Sequence, residues 1–135
     1  MPSPNQQLGT WGEDKAADYL TRKGYQIVDR NYHAQGGEID IVAKKDLPLL
    51  TGEGTEEVYI LVEVKTRRSN QYGEAKDAVE WWKLKRIIKA STHYFLFYKR
   101  MEEIPPFQID IIAIDVDVKQ KTARLEHLEN VGVDN

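Results

Sequence analysis

The sequence contains no cysteine, which excludes disulfides, thiolate metal ligands and cysteine nucleophiles. It has no apolar run approaching the roughly 18 residues of a membrane span. Its first residues, Met1-Pro2-Ser3-Pro4-Asn5-Gln6-Gln7, carry neither a basic n-region nor an apolar h-region, so no signal peptide is expected and the expected location is cytoplasmic. Histidine is sparse: His33, His93 and His127 are not spaced as a zinc pair and read as structural or surface groups. Excess positive charge is also missing. The formal net charge is −3, which by itself argues against a polyanionic partner. What is present is an ordinary composition, 41% hydrophobic and 30% charged. The length, 135 residues, suits one domain with a real core, 1–135.

The charge is unevenly spread. Lys65, Arg67 and Arg68 form one basic cluster, Lys83, Lys85, Arg86 and Lys89 a second, and Lys99 and Arg100 a third. Acid concentrates between Glu53 and Glu57 and in the C-terminal third. One basic face can therefore coexist with an acidic total, and net charge decides little.

Residues 1–7 read as a loose tail. Leu8, Trp11, Ala16, Ala17 and Leu20 recur at helical spacing up to Lys23, and Gly24 stands where a C′ glycine would end the helix. A strand is predicted over Tyr25–His33, a hairpin turn at Gln35-Gly36-Gly37, and a second strand over Glu38–Lys44. Residues 45–57, with Pro48, Gly52 and Gly54, read as a long mobile connection. A third strand runs from Val58 to Thr66. After a linker at 69–73, a long helix is predicted over 75–97, with Ala78, Val79, Trp82, Leu84, Ile87 and Ile88 on its apolar stripe. Pro105-Pro106 precedes a strand over Ile109–Val118, and a short strand follows near Ala123–Leu128. The order α-β-β-β-α-β-β predicts an α/β fold, a mixed sheet with helices packed on it.

Two strands carry charge where an apolar run would be cheaper. In Tyr59-Ile60-Leu61-Val62-Glu63-Val64-Lys65-Thr66-Arg67, Glu63 and Lys65 are two positions apart and leave the same face. In Gly37-Glu38-Ile39-Asp40-Ile41-Val42-Ala43, strict alternation places Glu38, Asp40 and Val42 on one face. A charge in such a strand is costly unless it is paired, bound to metal or used. If the two strands are antiparallel neighbours, Asp40 and Glu63 lie across from each other, with Cβ atoms roughly 4.5–5.5 Å apart. Two carboxylates so placed repel unless a cation lies between them, and oxygen-only ligation suits Mg²⁺ or Mn²⁺. Beside them, the Lys65 ammonium can orient or help deprotonate an attacking water, or stabilise charge growing on a phosphorane-like transition state. That is the equipment of a phosphodiester hydrolase.

With these residues in place, the chain resembles the PD-(D/E)XK nuclease superfamily, whose signature is Asp…(Asp/Glu)-X-Lys: Asp40, then Glu63-Val64-Lys65. It is more closely similar to the YraN-like family of uncharacterised bacterial proteins. That likeness rests on Gly9-x-x-Gly12-Glu13-x-x-Ala16, Gly24-Tyr25, Arg30-Asn31, Gly37-Glu38-Ile39-Asp40, Val62-Glu63-Val64-Lys65-Thr66-Arg67 and the Lys83–Arg86 helix. It is also similar in outline to archaeal Holliday junction resolvases. The resemblance implies a restriction-endonuclease-like fold, with Asp40 and Glu63 as metal ligands and the Val64 carbonyl as a backbone ligand. It further implies Lys65 as the residue that positions water or stabilises charge, and Glu13 as an auxiliary acid from the first helix. Where the family tends to carry an Arg before the late-strand Asp, this chain has Gln108-Ile109-Asp110.

Plainer readings stand beside these. Glu13 could close a capping box with Thr10, although it shares a helical stripe with Ala16, Ala17 and Leu20. Glu38 reads equally as a solvent-facing strand-entry residue pairing with a lysine or as support for the site. Asp110, Asp115 and Asp117 read as the polar face of an edge strand. Trp81-Trp82 offers either core or a base-stacking platform, and the Lys83, Lys85, Arg86, Lys89 helix either a solvated face or phosphate contacts. Arg67 and Arg68 join that phosphate-binding set. The expectation is a Mg²⁺- or Mn²⁺-dependent endonuclease acting on DNA, with branched or junction structures as candidate substrates. The alternative is a catalytically silent module on the same fold that binds nucleic acid or protein. Symmetric cleavage of a four-way junction takes two active sites, which makes a homodimer a candidate assembly.

Overall fold

Helix formation starts earlier than the apolar periodicity indicates. In the computed structural model, which describes residues 1–68 and 81–132 and only the backbone of Trp81 and Trp82, α1 spans Pro4–Arg22. Ser3 is its N-cap. The Ser3 hydroxyl accepts the Gln6 amide at 3.1 Å, and Gln6 Oε1 accepts the Ser3 amide at 2.8 Å. With Pro4 pre-setting the first helical φ, this capping box makes a helix of residues that read as tail. It also removes the capping account of Glu13, which lies well inside the helix. At the other end Gly24 adopts φ 93°, the left-handed conformation expected of a C′ glycine.

The strands follow as β1 (Gln26–Ala34), β2 (Gly37–Pro48) and β3 (Thr55–Arg68). Then come α2 (Trp81–His93), a π-helical turn (Tyr94–Tyr98), β4 (Phe107–Asp117) and β5 (Thr122–Leu128). The predicted linker at 69–73 and the first part of the predicted second helix lie outside the described residues. The sheet is five-stranded in the order β1-β2-β3-β4-β5. All neighbours are antiparallel except β3 and β4, whose parallel pairing needs the crossover through α2. The β2–β3 ladder extends to Pro48↔Thr55. The expected 45–57 connection therefore shrinks to residues 49–54, and most of it is the outer end of a hairpin.

Each face of the sheet buries one core. Leu84, Ile87 and Ala90 of α2, with Tyr94 and Phe95, pack on Ile39, Val42, Tyr59, Leu61, Ile109 and Ile111. Ala16, Ala17 and Leu20 of α1 pack on Ile41, Ala43, Ile60, Val62, Ile112 and Ile114. Two glycines let the helices approach. A Cβ at Gly12 would collide with the Thr66 hydroxyl on β3, and one at Gly37 with the Arg86 carbonyl on α2. Gly12 costs α1 on the order of 1 kcal/mol in propensity, so its value is this contact. Gly12→Val is expected to destabilise by about 1–3 kcal/mol and to lift α1, with Glu13, off β3. A urea melt and loss of amide-exchange protection around Thr66 would measure both.

Candidate active site

Strict alternation fails in β2 where it matters most. Ile39 packs with Val42 on the α2 side, whereas Ile41 and Ala43 pack under α1, so the faces slip at Asp40. Opposite it in β1, between the pairs Arg30↔Ile41 and Tyr32↔Ile39, Asn31 takes φ 52°, a left-handed turn that Asn tolerates better than most residues. This corrects the expected grouping of Glu38, Asp40 and Val42 on one face. The β2–β3 ladder also stops at Ile41↔Val62. Asp40 and Glu63 are therefore not a ladder pair; they stand where the two strands part. There Asp40 Oδ2 accepts the Val64 amide at 2.8 Å. In an extended strand a residue's N–H and C=O leave by the same edge, so the Val64 carbonyl is directed to this opening as well.

The opening is a cleft of about 330 Å³ whose walls include Glu13, Asp40, Glu63, Val64, Lys65 and Lys83. Glu13 arrives from α1, Asp40 from β2, Glu63 to Lys65 from β3 and Lys83 from α2. Of the residues expected to build the site, the structure thus brings Glu13, Asp40, Glu63, Val64 and Lys65 together. Burial pushes the Asp40 carboxyl up to about 6, helped by the charges of Glu13 and Glu38 and opposed by the Val64 hydrogen bond and Lys83. Burial also raises Glu63, with Asp40 the next cause and Lys83 and Lys65 opposing. Glu13 is raised by burial against the pull of Arg30 and a hydrogen bond from Asn31. Burial in one poorly hydrated cleft raises all three carboxyls, and three carboxylates so placed could hold a cation. The donors are all oxygen, which fits Mg²⁺ or Mn²⁺. Lys83 Nζ, 3.6 Å from Glu63 Oε1, supplies part of the neutralising charge.

The other expected residues are distributed differently. Arg67 is not on the cleft. It is buried against Asp115, with Nε–Oδ1 at 2.8 Å and Nη2–Oδ2 at 3.2 Å, while Arg68 is exposed at the end of β3. Lys85, Arg86 and Lys89 are exposed on α2. Glu38 is exposed and pairs with His33 at 3.2 Å. Trp81 and Trp82, the candidate stacking platform, have side chains outside the described residues.

The late acids are also relocated. β4 is an interior strand, so Asp110 and Asp115 are buried, not the polar face of an edge. Asp110 accepts from Gln108 Nε2 at 2.9 Å, the Asn130 amide at 2.9 Å and His127 Nε2 at 2.7 Å, and the Tyr19 hydroxyl lies 3.0 Å from His127 Nδ1. Gln108 is thus a partner of Asp110 within the fold. Asp110, His127 and Glu129 are close enough to hold a metal ion. No local pattern in the sequence marks this group, because its members come from β4, β5 and the turn beyond.

A family model described as "Uncharacterised protein family UPF0102" matches residues 12–129, a span that contains every cleft residue named as a site candidate. A UPF0102 protein of Syntrophomonas wolfei is 36% identical over 126 residues, covering 93% of this chain and 97% of its own length. One of Geobacter sulfurreducens is 40% identical over 126 residues, covering 93% and 88%. One of Roseiflexus castenholzii is 34% identical over 128 residues, covering 95% and 94%.

Proposed function

For a chain that belongs to the uncharacterised family UPF0102, as this one does, we propose a metal-dependent endonuclease that hydrolyses DNA phosphodiester bonds, with branched and junction DNA the substrates to try first. The observation that carries this reading is the meeting of Glu13, Asp40, Glu63 and Lys65 in one cleft, where the strands that supply Asp40 and Glu63 part. The same arrangement supports the likeness to PD-(D/E)XK nucleases. Asp40, Glu63 and the Val64 carbonyl would hold Mg²⁺ or Mn²⁺, with Glu13 completing the acidic wall. The ion would supply Lewis-acid stabilisation of charge on the phosphoryl oxygens.

The chain's own residues do the rest. The Val64 amide fixes the Asp40 carboxylate, so no reorganisation is needed when a ligand arrives. The Lys65 ammonium neutralises charge that builds on the scissile phosphate and orients the attacking water. Arg86 and Lys89 lie on the helix that supplies Lys83 and can track the backbone.

Purified protein should nick supercoiled, flapped or four-way-junction DNA with Mg²⁺ or Mn²⁺, and Lys65→Ala should lower the rate by about 10²–10⁴-fold without altering the melting curve. Equal activity in that variant would remove the assignment. One observation favours a catalytically silent nucleic-acid-binding module instead: Lys83 already sits at Glu63, as an ammonium standing in for an ion. Calorimetry separates the two readings, since the silent module would show no Mn²⁺ binding dependent on Asp40 and Glu63.

A further inference from the structure

Beyond the cleft, α2 carries a stripe whose far end the nuclease reading leaves unused. Lys83, Arg86, Lys89, His93 and, within the π-helical turn, Phe97 recur every three or four residues and so share one side of the helix. Lys83 and Arg86 border Glu63. Lys89, Thr92, His93 and Phe97 then form a second groove with Gln35 of the β1–β2 turn, about 450 Å³ in volume. Phe97 is 68% exposed, yet its ring is not loose. It stacks on His93 with centroids 5.3 Å apart and planes 29° from parallel. His93 in turn is held by a hydrogen bond between its Nδ1 and the Tyr32 hydroxyl. Tyr32 packs edge-on against Tyr94, which is fully buried. The π-helical turn buries Tyr94 and Phe95 while leaving Phe97 and Tyr98 exposed. Such turns often mark functional sites.

An anchored aromatic stack beside Lys89, with Arg86 three residues back along the same helix face, has the chemistry of a base-stacking platform: every base has a π-face, and every phosphate needs a counter-charge. We propose that this groove holds an unpaired base of the nucleic acid whose backbone enters the cleft, with the base stacked on Phe97 and His93 and its phosphates on Lys89 and Arg86. The site thus selects DNA with a single-stranded segment. Lys83 and His93 lie about 15 Å apart along the helix, at roughly 1.5 Å per residue. The stacked base is therefore within about four or five nucleotides of the scissile phosphate, counting about 3.4 Å of rise per nucleotide. This inference rests on the cleft taking nucleic acid, but not on its being catalytic.

The test is fluorescence anisotropy of the full-length protein with a labelled duplex carrying a single-stranded extension, and with the same duplex made blunt. Wild type should prefer the extended duplex. Phe97→Ala should weaken binding to it on the order of tenfold and leave the blunt duplex within about twofold, and Phe97→Trp should restore it. Lys89→Gln should weaken both and lower the salt slope by about one. Equal binding of the extended duplex by wild type and Phe97→Ala would overturn the proposal, as would a platform that captures a peptide and no oligonucleotide. Nicking assays keep the two readings apart. Phe97-dependent binding without nicking removes the nuclease but keeps the platform; Lys65-dependent nicking that ignores Phe97 does the reverse.

Discussion

Asp40→Asn is expected to raise the stability of the metal-free protein while abolishing its response to Mn²⁺ and lowering any nuclease activity by at least about 10²–10³-fold. The stability gain follows from the burial that pushes the Asp40 carboxyl up to about 6, against about 3.9 in an unfolded chain. Between those values the native state holds the proton more tightly than the unfolded state. Wild-type stability should therefore fall as pH rises from about 4 to about 6 and level off above, by on the order of 2–3 kcal/mol from this group. Glu63 and Glu13, both raised by burial, add to the same slope. Asparagine carries no charge to desolvate, and its side-chain oxygen can still accept the Val64 amide. The variant should thus melt higher at pH 7, by several degrees, with a flatter pH profile. Saturating Mn²⁺ at about 100 times its dissociation constant should stabilise wild type by about 2.7 kcal/mol and the variant by much less. That pair of results, a weaker fold and an ion response from one residue, would mark Asp40 as held for function.

Arg67→Ala should have the opposite character, a large loss of stability, about 3–5 kcal/mol, with no specific effect on DNA. Its guanidinium and the Asp115 carboxylate are each 8% exposed and bonded through Nε and Nη2. Removing the arginine leaves a buried carboxylate whose remaining ion-pair partner among the described residues is Arg124, 3.4 Å away on a 60% exposed side chain. Lysine should rescue poorly, because a point charge does not match the two-pronged geometry. Replacing both partners by apolar residues of similar volume should restore much of the loss. Arg68→Ala provides the contrast: exposed at the same strand end, it should leave stability within about 0.5 kcal/mol. It should lower the salt slope of DNA binding by about one if it meets a phosphate. Urea melts and salt titrations on the two variants separate a structural cation from a phosphate contact.

Arg67 shows what the sequence leaves unread. In one dimension Arg67 and Arg68 are a basic pair after an apolar run. Only the parallel register that sets Arg67 beside Asp115 makes one structural and leaves the other in solvent. The interior place of β4 has the same origin, since it depends on where the crossover returns. The element order is legible in apolar periodicity and turn residues, and Asp40, Glu63 and Lys65 stand out because charge in an apolar run is a local anomaly; Glu13 is marked only by its helical stripe and the family resemblance. The slip of faces at Asp40 is not legible, because it needs the left-handed Asn31 on the neighbouring strand as well. Helix α1 begins early because the Ser3–Gln6 capping box outweighs the lack of apolar residues before Leu8. The His93–Phe97 stack stayed hidden because it depends on a turn that departs from the α-helical period.

The most direct measurement is an anomalous difference map from crystals soaked in Mn²⁺. The account predicts one strong peak in the cleft, within about 2.0–2.2 Å of Asp40, Glu63 and the Val64 carbonyl. A cleft without a peak, with manganese found instead among Asp110, His127 and Glu129, would contradict it.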